Sequence, residues 1–195
     1  MYIFDYYRKE ISDLLGCDPD YVKFWWDRKL TVNGPYIVYQ TEDLIHAHKR
    51  DEEYMQFLQK ADKIYDYSTV NTTYHGGVFR PYLPKLNTTA YVGHKDIDVL
   101  FYGGMSERRN AIIRSLSDRY DVMYVERFAN IEEHISAIRR SNYVLSIGFY
   151  DNNYNDFWRV TPALDFGANI MLEENHEVWS MDFLKKYFSN RITII

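Results

Sequence analysis

Residues 97–104 read Ile97-Asp98-Val99-Leu100-Phe101-Tyr102-Gly103-Gly104, and this stretch decides the fold. The apolar run predicts a buried strand, and the two glycines that follow at once predict a tight turn. An amphipathic run comes next, in which Ile112, Ile113 and Leu116 recur at helical spacing. A strand, a glycine turn and a helix in this order are typical of the first unit of an α/β domain that binds nucleotides.

The same alternation continues toward the C-terminus. Periodicity predicts strands at residues 120–125, 143–147 and 170–172, with helices at 131–140 and 156–166 between them. Such alternation predicts a parallel sheet with helices on its faces. Because ligands of these sheets bind at the carboxyl ends of the strands, the chemistry is expected at Gly103, Gly104, residues 146–150 (Ser146 to Tyr150) and Glu173.

The glycine turn carries two arginines that suit a diphosphate. Glycine lets backbone approach a phosphate closely, and the N–H groups of the helix that follows favour an anion. Arg108 and Arg109 add guanidinium groups, which contact phosphate oxygens in pairs. The turn has neither the three spaced glycines of a dinucleotide site nor a P-loop lysine, so a structural turn with solvated arginines is the open alternative.

A second set of candidates lies further along the chain. Asp156 and Arg159 are three residues apart at the start of a predicted helix, so both lie on one face. Glu173 follows the next strand and reaches the same edge of the sheet, where a carboxylate can accept the hydroxyl groups of a ribose. A surface ion pair and a helix-capping aspartate are the alternative interpretation.

Composition limits the function classes. The chain has 195 residues, a net charge of −5 and a single cysteine, Cys17. The negative charge argues against a general nucleic-acid surface, and a lone cysteine fits a reducing compartment. No apolar run reaches the roughly 20 residues of a membrane span, and no signal peptide is visible. We therefore expect a soluble protein of the cytoplasm, or of the host cytoplasm if it is viral.

Three segments are predicted. Residues 1–90 form a first lobe, with helices at 1–15, 21–30 and 54–61 and strands at 36–40 and 63–67. Residues 95–175 form the Rossmann-like lobe, and 87–95 is the linker. Residues 176–195 form a helical tail whose apolar ending predicts packing on the body or on a second copy, as in a homodimer.

The remaining polar candidates are weaker. His46 and His48 are two residues apart, which on a helix directs them to different sides and disfavours a zinc site. The other histidines, including His134, are interpreted as surface or packing residues. Glu42 follows the strand at 36–40 and is a candidate general base, although an acid that complements a helix dipole is the simpler interpretation.

Residues 96–109 resemble the opening of the nucleotide-binding lobe in small group-1 glycosyltransferases of the GT-B class, known from bacteria, phages and large viruses. Residues 156–173 resemble the same family's acidic-x-x-Arg, Ala-Leu, Gly, apolar strand and Glu pattern. Residues 39–44 and 61–68 are similar to segments of its first lobe. The likeness covers about residues 36–174 in consistent order.

The resemblance implies a GT-B-like α/β fold and a glycosyltransferase that moves a sugar from a nucleotide-diphosphate sugar to an acceptor hydroxyl. The acceptor would be a glycan, a small molecule or a modified base. No metal and no tightly bound cofactor are implied. The diphosphate would be held by Gly103, Gly104, Arg108, Arg109 and Arg159, and the ribose by Glu173. Asp156 would contact the donor sugar or Arg159, residues 146–150 would line the pocket, and Glu42 would be the base.

The chain departs from the family in two ways. Asp156 stands where the family usually has Glu, and Pro162 where a second Glu is common. Only about 90 residues precede the nucleotide-binding lobe, so the acceptor lobe is reduced. Two alternatives therefore stay open: an inactive nucleotide-binding module that acts through a protein partner, and a phage-type glycosyltransferase of DNA bases.

Overall fold

The computed structural model describes residues 3–24, 27, 34–41, 44, 51–86, 90–151, 157–174 and 178–195. The chain forms two compact units, Ile3–Tyr82 and Leu83–Ile195. Each unit is α/β, and every strand pairing that the structure describes is parallel. The parallel α/β class predicted from the alternation is therefore confirmed. No helix among the described residues is long and apolar enough to cross a bilayer.

The first unit is built on a sheet of four short strands that lie side by side in chain order, β1-β2-β3-β4. Left-handed backbone at Gly76, with φ of +68°, ends its third helix. The described elements are α1 (Ile3–Leu15), β1 (Val22–Lys23), β2 (Ile37–Gln40), α2 (Glu52–Gln59), β3 (Lys63–Asp66), α3 (Thr72–His75) and β4 (Val78–Phe79).

Tyrosines form much of the core of this unit. The Tyr36 ring stacks on Phe57 at 5.2 Å, and its hydroxyl donates to the Phe57 carbonyl at 2.7 Å. Tyr54, which is fully buried, donates its hydroxyl to the Gln40 side chain at 2.8 Å. A buried tyrosine adds apolar area without a desolvation penalty only when its hydroxyl is paired. These contacts explain the role of some of the 19 tyrosines in the chain.

The helix predicted for residues 21–30 is wrong at its start, where the structure has β1. Val22 and Phe24 are fully buried, whereas Lys23 between them is more exposed. That is the two-residue period of a strand, and Val22 lies opposite Ile37 in the parallel ladder with β2. The aromatic run suggested a helix because short apolar runs do not distinguish the two periods. Most of the remaining predicted helix lies outside the described residues.

The second unit carries a five-stranded sheet in the order β6-β5-β7-β8-β9. The predicted strands and helices of this region are confirmed to within two residues. The elements are β5 (Ile97–Tyr102), α4 (Glu107–Leu116), β6 (Val122–Val125), α5 (Ile131–Arg140), β7 (Ser141–Ser146), α6 (Phe157–Asp165), β8 (Asn169–Leu172), α7 (Val178–Phe188) and β9 (Ile192–Ile194).

Helices cover the two faces of this sheet unequally. Residues of α5, α6 and α7 form one core with the inward side chains of β5, β7 and β8, among them Leu100, Val144 and Ile170. On the opposite face α4 packs over Val99 and Leu145. Alternate residues along each strand therefore point into different cores, as in a doubly wound sheet.

The segment expected to be a helical tail also contributes a strand. After α7, residues Ile192–Ile194 pair in parallel with β8, and the Ile195 N–H donates to the Leu172 carbonyl at 3.0 Å. Arg191 is 7% exposed, and its Nη2 donates to the carbonyls of Leu164 and Ala168 at 2.9 and 2.7 Å. The guanidinium joins the end of α6 to the start of β9, so the apolar ending is built into the sheet.

Candidate functional site

The strand order reverses between β5 and β7, and in doubly wound sheets such a reversal opens a crevice at the carboxyl ends of the strands. The chain leaves β5 toward β6 on one side and leaves β7 toward β8 on the other, so the two connections diverge. Ligands of doubly wound sheets bind at such a reversal. The loops that flank it are residues 103–106 and 147–151, which contain Gly103, Gly104 and Tyr150 of the residues predicted for the site.

Gly103 makes the turn at this crevice possible. Its φ is +112°, a region that side chains of L-residues rarely adopt, and its N–H donates to the Val125 carbonyl at 3.0 Å. A Cβ on Gly103 would lie 3.1 Å from Nη2 of Arg159. Glycine therefore serves both the backbone conformation and the close approach of an arginine.

Arg109 ties the two loops together from behind. Its Nη1 donates to the Gly104 carbonyl at 2.6 Å and its Nη2 to the Ile147 carbonyl at 3.0 Å. The guanidinium lies 5.4 Å from the Phe101 ring and 5.1 Å from the Phe149 ring. Only 7% of the residue is exposed. Its contacts are those of a positioning residue, although sequence analysis predicts a diphosphate ligand.

Arg159 has a similar environment on α6. Its Nε and Nη2 donate to the Tyr102 carbonyl at 3.3 and 3.0 Å, and the residue is 5% exposed. The guanidinium also lies 5.3 Å from the Phe101 ring. Its positive charge is therefore held directly beneath the glycine turn, where it contributes to the potential of the crevice.

Arg108 and Glu173 form the polar contact at the mouth. Arg108 Nη2 donates to Glu173 Oε1, and Nη1 donates to Oε2 at 3.1 Å. The N–H of Gly148 donates to the same Oε2 at 3.0 Å, and Arg108 Nε donates to Asp151 at 2.7 Å. The hydrogen bond that Arg108 donates to Glu173 is the main cause that raises the pKa of Arg108 above its ordinary value. Both side chains keep just over a fifth of their surface exposed.

The structure thus brings most of the predicted residues to one edge. Ser146 is the last residue of β7, and its carbonyl accepts the Glu173 N–H at 3.1 Å. The Tyr150 ring lies edge-on to Phe149 at 4.9 Å. The two residues predicted to be catalytic, Glu42 and Asp156, lie outside the described residues. The roles assigned to all these side chains stay predictions.

His134 is a residue of this region that sequence analysis interpreted only as surface or packing. It lies 1% exposed on the inner face of α5, with the Phe128 ring stacked on it at 4.8 Å and the Tyr102 ring edge-on at 4.5 Å. Burial, and then the charge of Arg159, lower its pKa to about 4. The sequence feature that could have identified His134 is its position as a polar residue in the apolar stripe of α5, which includes Ile131 and Ile138.

A buried pair in the first unit was not predicted from the sequence. His75 Nε2 lies 2.8 Å from Asp66 Oδ2, and the Gly77 N–H donates to His75 Nδ1 at 2.9 Å. Asp66 also accepts from the Ser68 N–H at 2.8 Å, and burial raises its pKa to about 6. Both nitrogens of His75 have partners, and its side chain is 2% exposed. The pair therefore holds the turn after β3 and offers no free base.

Among the described residues, no group of three or more His, Cys, Asp or Glu side chains could hold a metal ion. No protein-family model, no curated protein and no solved structure matches this chain. The likeness to group-1 glycosyltransferases therefore rests on the residues of the sequence alone and stays a prediction.

Proposed function

We propose that this chain binds a nucleotide-diphosphate sugar at the carboxyl edge of its five-stranded sheet and transfers the sugar to an acceptor hydroxyl. The observation that carries the proposal is the reversal of strand order between β5 and β7, where the Gly103 turn, the start of α4 and the Arg108–Glu173 pair converge. A helix N-terminus beside a cation attracts a diphosphate, and an adjacent carboxylate accepts hydroxyl groups.

In this proposal each group acts on a different part of the donor. Arg108 contacts the diphosphate, while Arg109 and Arg159 add positive charge from beneath the loops that they hold. Glu173 accepts hydrogen bonds from hydroxyl groups of the donor. The acceptor oxygen forms a bond to the anomeric carbon as the bond from that carbon to the β-phosphate oxygen breaks. The hydroxyl proton passes to a base, for which Glu42 is the candidate, and the nucleoside diphosphate leaves.

A nucleotide-binding module without catalysis is the second candidate. The observation that favours it is that Arg109 and Arg159, both predicted to contact phosphate, donate hydrogen bonds to backbone carbonyls of the loops. Fewer cations are then available to stabilise the leaving diphosphate in a transition state. Donor binding without donor hydrolysis or sugar transfer would distinguish this module from an enzyme.

The first test is a thermal-shift screen against UDP, GDP, ADP, CMP and a set of nucleotide sugars. A ligand at a hundred times its dissociation constant adds about 2.7 kcal/mol to the free energy of unfolding, which is easily measured. We expect a clear shift with one nucleotide sugar, and a smaller one with Glu173→Gln. Glu174→Gln is the matched control, because Glu174 is the exposed neighbour of Glu173. A flat result across the panel would reject the proposal.

A further inference from the structure

His134 is a buried polar residue with an unusual environment. Only 1% of it is exposed, and within the described part of the chain neither ring nitrogen has a hydrogen-bond partner. Buried polar atoms are normally paired, because their lost hydration is otherwise uncompensated. His134 shares the inner face of α5 with Ile131 and Ile138, where an apolar residue would pack at no such cost. Departures of this kind are expected at ligand-binding positions.

The imidazole lies at the same edge of the sheet as the proposed donor site. Tyr102, which contacts it edge-on, is the last residue of β5. Phe128, whose ring stacks on it with the planes 22° apart, belongs to the connection between β6 and α5. Arg159 acts on His134 electrostatically and also lies against the Gly103 turn. His134 is therefore next to the turn, on its β6 side.

We propose that His134 recognises the base of a nucleoside diphosphate, which stacks on the imidazole in the place now taken by the Phe128 ring. This inference rests on the proposed function. Phe128 is only partly buried and belongs to a connecting loop, and the inference requires its ring to turn away from His134 when the base binds. The space that it leaves is a flat slot against an aromatic face, which suits a heteroaromatic ring.

The protonation state of His134 fits this role. Its lowered pKa keeps the imidazole neutral at physiological pH. A neutral imidazole can stack on a heteroaromatic base without the desolvation cost of a buried charge. The positive charge of Arg159 remains beside the diphosphate end of the same ligand.

With the base on His134, the donor runs across the carboxyl ends of the strands from β6 toward β8. The ends of β6 and β8 are three strands apart, which is roughly 14 Å. A base beside β6 places its ribose near the Gly103 turn, on the other side of the reversal in strand order from β8. Glu173 then faces the hydroxyl groups of the transferred sugar, and the diphosphate lies between them at the start of α4.

Titration calorimetry at neutral pH tests the inference with two probes, a nucleoside diphosphate and inorganic pyrophosphate. We expect His134→Leu to weaken binding of the nucleoside diphosphate about fivefold, the effect of one lost stacking contact, and to leave pyrophosphate binding unchanged. The variant should unfold at the same or a higher temperature, since it removes an unpaired buried group. His94→Leu is the control at an exposed histidine. Phe128→Ala should bind the nucleoside diphosphate at least as tightly as wild type.

Each of the other outcomes shows which part of the inference is wrong. Unchanged nucleoside diphosphate affinity in His134→Leu would overturn the base contact and leave the proposed function intact. An equal loss for both probes would also overturn it, because the effect would then pass through Arg159 and the loop. Weaker binding by Phe128→Ala would reject displacement of that ring. If wild type bound neither probe, the proposed function and this inference would fall together.

Discussion

Three arginines with the same predicted role occupy different environments. Arg108 keeps part of its surface exposed and pairs with Glu173, whereas Arg109 and Arg159 are nearly buried and donate to loop carbonyls. A planar guanidinium can satisfy several carbonyls at once and stack on aromatic rings, which makes arginine suited to holding loops. Residue type and spacing therefore indicated positive charge at this edge without distinguishing ligand contact from support.

At the residue scale, His134 predicts a dependence of stability on pH. Its pKa is about 4 in the folded protein, because of burial and then Arg159, against an ordinary value of 6.5. This pKa difference does not lower the free energy of unfolding above pH 6.5. The free energy of unfolding then decreases as the pH falls toward 4, since only the unfolded chain takes up the proton in that range. The loss should be on the order of 3 kcal/mol at pH 4.

Urea unfolding of wild type and His134→Leu at pH 7, 5.5 and 4 measures this difference. The free energies of unfolding should diverge as the pH falls, with wild type losing more. Asp66, whose pKa is raised to about 6 mainly by burial, has the opposite effect on the free energy of unfolding, since the stability linked to its protonation is lost as the pH rises. It is present in both proteins and cancels. Parallel pH profiles would show that His134 is protonated in the folded state as readily as in the unfolded chain.

At the scale of elements, the connection from β5 to α4 depends on one glycine. Gly103→Ala places a Cβ at a φ of +112° and 3.1 Å from Arg159 Nη2, so we expect a loss of about 1–3 kcal/mol in the free energy of unfolding. Gly104→Ala is the control, because its φ is not positive and the nearest atom, Phe149 Cε2, would be 3.8 Å away.

Urea denaturation of the two variants checks the prediction. Gly104→Ala should stay within about 0.5 kcal/mol of wild type, as most substitutions without strain or burial do. Equal stabilities for the two variants would mean that the turn accepts a side chain at Gly103. The role given to its left-handed backbone would then be wrong.

At the scale of the whole molecule, the second unit contains a complete sheet, two apolar cores and every described residue of the proposed site. A unit with its own core is expected to fold alone. A fragment of residues 83–195 should therefore unfold cooperatively and bind the nucleoside diphosphate with the affinity of the full chain.

Circular dichroism and titration calorimetry on the fragment measure both properties. The complementary fragment, residues 3–82, should bind no nucleotide, and it serves as the control. A folded 83–195 fragment with much weaker binding would show that the first unit supplies part of the nucleotide contacts. An unfolded fragment would show that the two units depend on each other for stability.

Much of the second unit was predictable because its signals are local. The helix at Ile131–Arg140 has a side-chain cap from Asn130 to the Glu133 N–H, acids in its first turn and an apolar stripe. Such features act within a few residues and can be recognised without the fold. The short strand at Val22–Lys23 was missed because its pairing with β2, a contact between distant parts of the chain, decides its conformation.

The sequence by itself determined the parallel α/β class, the position of the glycine turn and the gathering of polar residues at the carboxyl ends of the strands. Tertiary structure alone decided the order β6-β5-β7-β8-β9, the addition of β9 to the sheet and the burial of Arg109, Arg159 and His134. The physical reason is the separation in sequence over which each effect acts. Periodicity and capping depend on neighbours in sequence, whereas strand order and burial depend on which distant surfaces exclude water together.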